Sequence, residues 1–499
     1  MYEVDPVSAA LNSTVFDVAA LHVLGVRRLT LDSRVVRAGD AFIACPGETR
    51  DGRDFISDAI RRGASAVLWE AEGHAWNHRL RVANFAVPQL RRHAGEIAGE
   101  FYGRPGSKLW TIGVTGTNGK TSCSQWIAQA LTRTRRKCAV IGTLGSGFPG
   151  RLDALVNTTP DAVTIHAQMK KFLRAGARAM AMEVSSIGLD QNRTAGVEFD
   201  VALLTNLSRD HLDYHGTMRR YRAAKARLFR WPTLSHAVVN LDDDFGRELA
   251  QRWKHRRAAL LGYGFGRRGA RARPACVEGR NLRLGPEGIV FDVATPWGRA
   301  TLESPLLGAF NAANLLGSLA TLLAGDVGLA AAVAALEKVD AVPGRMQRFG
   351  GGAQPLVVVD YAHTADALEK VLLALRPLRA ARGRLICVFG CGGDRDPGKR
   401  PLMGAVASRI ADRVVLTSDN PRSEDPQVII AAIAAGVRGA HQQVPDRRRA
   451  IVQAIAAADH GDIVLVAGKG HENYQEIAGV RRRFSDAAVV SAALSGGAR

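Results

Sequence analysis

The chain has 499 residues, of which 46% are hydrophobic and 23% charged, and it carries a formal net charge of +20. This length is too great for one hydrophobic core and suffices for three domains of ordinary size. The composition is that of a soluble globular protein, and the lack of any run of about 18 apolar residues predicts no membrane span.

The positive charge raises the question of nucleic-acid binding. The basic residues are mostly arginines, scattered along the chain in short runs at 132–137, 267–273, 447–449 and 481–483. No aromatic residues interleave with them, as a single-strand binder would require. We therefore expect a solvated, arginine-rich surface and no nucleic-acid partner, with a positive field that helps to attract polyanionic substrates such as nucleotides.

The cysteines and the N-terminus bear on the compartment. The six cysteines form no C-x-x-C pair and no zinc spacing, which favours reduced thiols in a cytoplasmic protein. The N-terminal MYEVDPVSAAL has acidic residues where a signal peptide would carry basic ones. We expect a cytoplasmic protein and a monomer.

Three regions follow one another along the chain. Residues 1–103 contain short apolar runs, DAFIACPG and ASAVLWE, broken by turn residues. Residues 104–342 alternate strand-like and helical runs, which predicts an α/β domain with a mainly parallel sheet. Residues 343–499 repeat this alternation in a shorter, dinucleotide-fold-like series. The predicted fold class is α/β in three domains: an N-terminal α/β domain, a central P-loop-type domain and a C-terminal Rossmann-like domain.

The segment TIGVTGTNGKTS, at 111–122, predicts a phosphate-binding loop between a strand and a helix. Glycines let consecutive backbone N–H groups approach a phosphate, Lys120 would neutralise its charge, and the Thr121 hydroxyl would hold Mg²⁺. The usual P-loop spacing is absent, because Val114 stands where the first glycine belongs. The alternative is a glycine-rich turn with a surface lysine.

Polar residues also follow other predicted strands, where ligands bind in open α/β sheets. Glu183 ends one strand and is either a second Mg²⁺ ligand or a capping or surface glutamate. The cluster in LSRDHLDYHG could bind zinc, although the flanking motifs favour a magnesium and nucleotide site; its members are Asp210, His211, Asp213 and His215. Lys225 falls on a predicted helix, where a solvated position is the simplest interpretation.

Taken in order, VTGTNGKT, MEVSS, TNLSRDHLDYHG and YRAAKARLF resemble the Mur ligase family. The resemblance extends over nearly the whole chain, through LDSR, GAFNAAN, PGRMQRF, DYAHTADAL, GCGGDRDPGKRPLM and AGKGHE. Together with LDSR, the motif DNPR resembles the branch that adds meso-2,6-diaminopimelate to UDP-MurNAc-L-Ala-D-Glu in peptidoglycan biosynthesis. The resemblance implies an ATP-dependent ligase that uses Mg²⁺ and an acyl phosphate. Open alternatives are an L-lysine-adding enzyme, another ligase of the family, or a non-catalytic nucleic-acid or scaffold relative.

The resemblance also implies residue roles. The first domain would bind the UDP end, the central one ATP and the last one the amino acid. The implied catalytic residues are Lys120, His211, Arg345 and Lys225, the last as the carbamate N6-carboxylysine. The implied metal ligands are Thr121, Glu183 and carbamylated Lys225. The implied ATP contacts are Gly116, Thr117, Asn118, Gly119, Lys120, Thr121, Ser122, Asn311, Asn314, Arg345, Asp360 and His363.

Both remaining substrates also have implied contacts. For the UDP-sugar dipeptide these are Leu31, Ser33, Glu48, Thr49, Arg50, Asn157, Thr158, Thr159, Ser185, Gln191 and Arg193. For meso-diaminopimelate they are Arg395, Asp419, Asn420, Pro421, Arg422, Gly468 and Glu472. An arginine fork at Arg422 suits a distal carboxylate, which lysine lacks, and Glu472 could pair with the distal ammonium. Without the family, Asn311 and Asn314 could be helix caps, and Arg422 a surface arginine in a turn.

The sequence departs from the family pattern at three positions. Ile187 follows the serine pair where many relatives have histidine, Gln347 replaces a common glutamate, and Ala365 replaces proline. None of these is an implied contact with metal, phosphate or diaminopimelate.

Overall fold

The structure is a computed structural model that describes residues 16–48, 50–254, 257–266 and 274–496. Thr49, the basic run at 267–273 and the N-terminal MYEVDPVSAAL therefore lie outside the described residues. The chain forms two compact units. The first unit comprises Met1–Glu278, Thr295–Gly298 and Leu315–Ala335, and the second comprises Gly279–Ala294, Arg299–Asn314 and Leu336–Arg499. The division into three domains at 103 and 342 stays a prediction.

The first unit begins with a four-stranded parallel sheet in the order β1-β2-β3-β4. Its elements are α1 (Ala19–Val23), β1 (Arg28–Thr30), β2 (Asp40–Ala44), α2 (Ile56–Arg61), β3 (Ala66–Glu70), β4 (Ala83–Val87) and α3 (Leu90–Phe101). Every residue of β2 and β3 is buried, so the two apolar runs form the interior strands of this sheet.

The first unit continues with a larger sheet built around the predicted phosphate loop. Its elements are β5 (Trp110–Thr115), α4 (Lys120–Arg133), β6 (Cys138–Gly142), β7 (Gly145–Phe148), β8 (Arg151–Asp153), α5 (Ala162–Arg174), β9 (Ala179–Glu183), α6 (Ser186–Asp190), β10 (Val201–Leu204), α7 (Leu212–His215), α8 (Met218–Ala226), β11 (His236–Asn240), α9 (Asp244–Gln251) and β12 (Ala259–Gly264). The strand order is β12-β11-β10-β5-β9-β6-β7-β8, parallel except for the antiparallel β6-β7-β8. The expectation of a mainly parallel sheet is confirmed.

Three further strands and two helices complete the middle of the chain. They are β13 (Ala275–Gly285), β14 (Gly288–Thr295), β15 (Gly298–Ser304), α10 (Ala309–Ala324) and α11 (Leu329–Leu336). The first residues of β13 pair with β12 in parallel.

The second unit has a six-stranded sheet in the order β16-β17-β21-β18-β19-β20, parallel except for β16 at its edge. Its elements are β16 (Gln347–Gly350), β17 (Leu356–Asp360), α12 (Ala365–Leu375), β18 (Leu385–Phe389), α13 (Lys399–Ile410), β19 (Arg413–Leu416), α14 (Pro426–Ala434), β20 (Gln442–Gln443), α15 (Arg447–Ala456), β21 (Ile463–Ala467), β22 (Tyr474–Ile477), β23 (Val480–Arg483) and α16 (Asp486–Leu494). The parallel core and its intervening helices confirm the predicted βα series.

Two sequence expectations concern the surface. The run 481–483 is exposed as predicted, whereas Arg447 is only 1% exposed, so treating the whole run 447–449 as solvated was wrong.

All six cysteines are free. No helix in the described part of the chain is long and apolar enough to cross a membrane.

Candidate active site

The loop between β5 and α4 has a backbone that only glycine allows at its first position. Gly116 has a φ of +151°, and a Cβ there would lie 1.8 Å from the Thr205 hydroxyl oxygen. The loop is held from the side by Asn206, whose carbonyl accepts from Thr117 N at 2.9 Å and whose amide oxygen accepts from Asn118 N at 3.0 Å. The loop therefore brings the N-terminus of a 14-residue helix to an anion-binding position.

Two lysines donate to the same carbonyl of this loop. Lys120 Nζ lies 2.9 Å from Gly116 O and also donates to Thr117 O, while Lys225 Nζ lies 2.8 Å from Gly116 O. Lys225 is only 1% exposed, so its interpretation as a solvated lysine on a helix face was wrong. Burial lowers the pKa of Lys225 well below its ordinary value, and the charge of Lys120 lowers this pKa further.

Glu183 connects the loop to the neighbouring strand β9. It is 1% exposed, and its Oε2 accepts from Thr121 Oγ1 at 2.9 Å. Thr143 binds the same carboxylate, through its N to Oε1 at 2.8 Å and its Oγ1 to Oε2 at 3.1 Å. This is neither a surface glutamate nor a helix cap. A carboxylate beside a hydroxyl offers the hard oxygen donors that Mg²⁺ prefers, so these residues fit the implied metal.

The His/Asp cluster after β10 separates into different environments. The exposed His211 lies beside Asp210. Partial loss of hydration lowers the pKa of His211, the charge of Asp210 opposes this shift, and the charge of Lys120 adds to it. His215 is buried and shares a hydrogen bond of 3.0 Å with the Ser186 hydroxyl. Within the described ranges, no three His, Cys, Asp or Glu side chains are grouped to hold a metal ion. The zinc alternative gains no support.

Thr159 connects the predicted sugar-binding segments to Glu183. Its hydroxyl donates to the Glu183 backbone carbonyl at 2.9 Å and accepts from Ser185 N at 3.0 Å. Its neighbour Thr158 shares a hydroxyl hydrogen bond of 3.0 Å with Thr143. Thr158 and Thr159 of the NTTP segment and Ser185 therefore lie together at the end of β9, and their contact with the substrate stays a prediction.

A second group of predicted substrate residues continues from Thr159. Arg193 donates to Thr159 O at 3.1 Å and to Gln191 Oε1 at 2.8 Å, and Gln191 Nε2 donates to Glu48 Oε1 at 2.5 Å. Glu48 and Gln191 line a cleft of about 450 Å³, together with Tyr214. A single chain of hydrogen bonds thus runs from the phosphate loop through Glu183 to this cleft.

Four other predicted sugar contacts that the structure describes lie outside this hydrogen-bond chain: Leu31, Ser33, Arg50 and Asn157. Leu31 is half-buried against the N-terminal core, and the buried Ser33 begins a short 3₁₀ helix after β1. Arg50 and Asn157 are exposed. Thr49 lies outside the described residues.

In the second unit, Asp360 organises the segment that carries Arg345. At the end of β17, its carboxylate accepts from Met346 N and Ala362 N, both at 2.8 Å. Burial raises the pKa of Asp360, and the nearby Arg345 opposes this shift. The Arg345 guanidinium stacks 4.3 Å from the centroid of the Tyr361 ring. His363 is exposed, and its Nδ1 lies 2.9 Å from Tyr361 O.

Asn311 and Asn314 are both buried within α10. The Asn311 amide donates to Leu307 O at 2.8 Å, and Asn314 Nδ2 donates to Asn311 Oδ1 at 3.4 Å. An N-cap side chain accepts from a backbone N–H. The Asn311 amide instead donates to Leu307 O, so this contact is not an N-cap interaction.

Asn420 and Glu472, predicted to contact the amino acid, share a buried lysine that sequence reasoning missed. Lys469 is fully buried and donates to Asn420 Oδ1 at 2.9 Å and to Glu472 Oε2 at 3.0 Å. Asn420 Nδ2 also donates to Glu472 Oε2 at 2.7 Å. The only available signal was the position of Lys469 inside AGKGHE.

Arg422 is fixed mainly through its backbone. It has a φ of +53°, its N donates to Glu476 O at 3.0 Å, and its O accepts from Ala478 N at 2.7 Å. Its guanidinium donates to Gly393 O. Arg422 is therefore held against β22 rather than placed in a free surface turn.

The other predicted amino-acid contacts differ in their exposure. Asp419 and Pro421 are buried, and Arg395 is exposed. A Cβ on Gly468 would lie 2.5 Å from Asp419 Oδ2, so only glycine allows this close approach.

The structure shows the local position of each of the three residues that depart from the family pattern. Gln347 Oε1 accepts from Gly344 N at 2.9 Å and so holds the turn before Arg345. Ala365 is the first residue of α12, a position where proline is also favourable. Ile187 is half-buried in α6.

Comparison with known proteins places these features in a family. Three family models match: "Mur ligase family, catalytic domain" over residues 25–102, "Mur ligase middle domain" over 114–322 and "Mur ligase, glutamate ligase domain" over 344–470.

Similar proteins and a similar structure cover nearly the whole chain. The UDP-N-acetylmuramoyl-L-alanyl-D-glutamate–2,6-diaminopimelate ligase of Chromobacterium violaceum is 52% identical over 484 residues, covering 96% of this chain and 97% of that protein. The Pseudomonas aeruginosa enzyme of the same name is 52% identical over 472 residues, covering 94% and 95%. A solved structure of a ligase with this name superimposes with a TM-score of 0.69 at 38% identity, covering 95% and 96%. The chain belongs to the Mur ligase family.

Proposed function

We infer that this protein is an ATP-dependent ligase that adds meso-2,6-diaminopimelate to UDP-MurNAc-L-Ala-D-Glu. The observation that carries this inference is the 52% identity to the Chromobacterium violaceum ligase over 97% of its length. The local geometry supports it, because a phosphate loop, a buried carboxylate and a buried lysine occur together in one unit.

The reaction begins on the nucleotide. A substrate carboxylate oxygen attacks the γ-phosphorus of ATP. The bond between this phosphorus and the β,γ-bridging oxygen breaks, and an acyl phosphate and ADP form. The N–H groups of residues 116–122 cradle the phosphates, and Lys120 moves from the loop carbonyls to the charged oxygens. Positioning and charge stabilisation supply the catalysis.

Thr121 and Glu183 would hold Mg²⁺, which supplies charge neutralisation at the phosphates when bound. Lys225 as an ammonium could not be a metal ligand. A buried amine with a lowered pKa can react while neutral with CO₂: nitrogen bonds to carbon, a proton leaves, and a carbamate with two oxygens forms. This supports Lys225 as N6-carboxylysine and as the third ligand.

The second half-reaction makes the amide. The amine of diaminopimelate attacks the acyl carbon, a tetrahedral intermediate forms, and phosphate leaves with one oxygen of the original carboxylate. Asn420 and Glu472 would orient the amino acid, and Arg422 would bind its distal carboxylate. Glu48, Gln191 and Arg193 would bind the UDP-sugar dipeptide.

The test offers two amines in parallel. The protein is incubated with ATP, Mg²⁺ and UDP-MurNAc-L-Ala-D-Glu, with either meso-diaminopimelate or L-lysine, and phosphate release and product mass are measured. We expect release and an amide product with diaminopimelate. Release with lysine alone would establish the lysine-adding alternative, and no release with either amine would favour a non-catalytic relative.

A further inference from the structure

A buried ion pair joins the first residues of two helices in the second unit. Arg447 begins α15 and Asp486 begins α16, and both side chains are 0% exposed. Arg447 Nε donates to Asp486 Oδ1 at 2.8 Å, and Nη2 donates to Oδ2 at 2.7 Å. Two parallel hydrogen bonds of this kind fix the plane of the guanidinium.

The same guanidinium holds the ends of two strands. Arg447 Nη1 donates to Ser418 O at 3.2 Å, and Nη2 donates to Ala467 O at 2.9 Å. Ser418 follows β19 and Ala467 ends β21, and β18 lies between these strands in the sheet. One side chain therefore fixes two chain segments that are not adjacent in the sheet.

Both segments continue directly into the proposed amino-acid site. Asp419 and Asn420 follow Ser418, and Gly468 and Lys469 follow Ala467. Those continuations meet each other, because Lys469 Nζ donates to Asn420 Oδ1 at 2.9 Å. A shift of either strand end would change the distance between the two halves of the site.

We propose that Arg447, oriented by Asp486, is a positioning residue that sets the spacing of the two segments that bind the amino-acid substrate. The proposal rests on the proposed function and adds a residue pair to it. Arg447 acts through backbone carbonyls and touches no substrate. Its loss should therefore weaken amino-acid binding selectively, and leave the binding of ATP and of the UDP-sugar dipeptide unchanged.

The test separates positioning from stability. In the double variant Arg447→Met/Asp486→Leu, apolar side chains replace the ion pair without leaving a lone buried charge, a change that folds tolerate well. Arg447→Lys keeps the charge but loses the fork, and Arg448→Met is the control because Arg448 is exposed in the same helical turn. Steady-state KM values are measured for all three substrates, and urea unfolding is measured for each variant.

We expect KM for meso-diaminopimelate to rise about tenfold in the double variant and in Arg447→Lys, in keeping with the loss of charged hydrogen bonds. The other two KM values should stay within about twofold, and Arg448→Met should match the wild type. An unchanged KM for diaminopimelate in Arg447→Lys would overturn the proposal, as would an equal rise in all three KM values. If the double variant does not fold, Arg447→Lys decides. Wild-type protein that makes no product would instead contradict the proposed function.

Discussion

Lys225 Nζ lies 2.8 Å from the carbonyl oxygen of Gly116, inside a site where the lysine is 1% exposed. A second amine, Lys120 Nζ, donates to the same oxygen at 2.9 Å. Two amines at one carbonyl repel each other when both are charged, and burial disfavours the charge of Lys225. Both effects favour the neutral amine of Lys225, the form that the proposed reaction with CO₂ requires.

Replacing Lys225 by alanine should lower the turnover rate about 10³-fold, because the proposed carbamate, a charged metal ligand beside the phosphates, would be lost. Small carboxylic acids such as formate and acetate should restore part of the rate by supplying the missing oxygens. Phosphate release is measured with and without each acid. Arg220→Ala, an exposed change on the same helix, should leave the rate unchanged. A Lys225→Ala variant of normal activity would disprove the carbamate role.

Glu183→Gln should raise the Mg²⁺ concentration needed for half-maximal rate at least about tenfold, because the substitution removes the charge of a buried oxygen ligand. Mg²⁺ titrations of the rate and of metal binding by calorimetry measure this. Glu287→Gln is a matched change of an exposed glutamate and should have no effect. Equal Mg²⁺ dependence in both variants would exclude Glu183 from the metal site.

The hydrogen bond between Gln191 and Glu48 predicts a selective effect on one substrate. Gln191→Ala removes contacts with both Glu48 and Arg193, so KM for the UDP-sugar dipeptide should rise about five- to tenfold. KM for ATP and for diaminopimelate should not change. Initial rates with each substrate varied in turn supply the measurement. A rise confined to KM for ATP would show that the cleft was assigned to the wrong substrate.

Arg422→Met should reduce kcat/KM for meso-diaminopimelate about 100-fold, because a bidentate contact to the distal carboxylate is lost. The value for L-lysine, which lacks that carboxylate, should change by less than about twofold. Arg438→Met, which removes an exposed arginine, controls for the loss of charge. A parallel loss for both amines would indicate that Arg422 supports the structure rather than selecting the substrate.

The lowered pKa of His471 predicts that the stability of the protein depends on pH. Burial lowers its pKa from 6.5 to about 4, and Arg345 and Lys469 add to the shift. Between these values the unfolded chain binds a proton that the folded protein does not, so the free energy of unfolding falls as the pH drops.

The measurement is urea unfolding at pH 7.5, 6, 5 and 4 for the wild type and His471→Gln. The free energy of unfolding of the wild type should fall by up to about 3 kcal/mol more than that of the variant as the pH drops to about 4. His460→Gln, which changes an exposed histidine, should behave like the wild type. Identical pH profiles for the wild type and His471→Gln would contradict the predicted shift.

Much of the fold could be predicted because interior parallel strands are continuous apolar runs. The strand β9 was visible as ARAMAM, and its last residue, Glu183, was placed correctly beside the phosphate loop by the rule that ligands bind at carboxyl ends of strands. The antiparallel edge strands β7 and β8 were not predicted, because they have only four and three residues and contain no such run.

The buried charges could not be predicted in the same way. Charged residues are placed on the surface by default, since burial is favourable only with a partner. Lys469 has a nearby ion-pair partner in Glu472, three residues later. The partner of Arg447, however, is Asp486, 39 residues later, and the second partner of Lys469 is Asn420, 49 residues earlier. Only the three-dimensional arrangement reveals such pairs. The roles of the individual site residues stay predictions.

The central claim is that the substrate carboxylate attacks ATP and forms an acyl phosphate. It is tested most directly by following oxygen from the substrate into the released phosphate. The glutamyl carboxyl groups of UDP-MurNAc-L-Ala-D-Glu are labelled with ¹⁸O, and the phosphate released with meso-diaminopimelate is analysed by mass spectrometry. An acyl phosphate predicts one ¹⁸O in each released phosphate and the loss of one ¹⁸O from the amide product. Unlabelled phosphate would show that water, not the substrate carboxylate, attacks ATP, and would contradict this account.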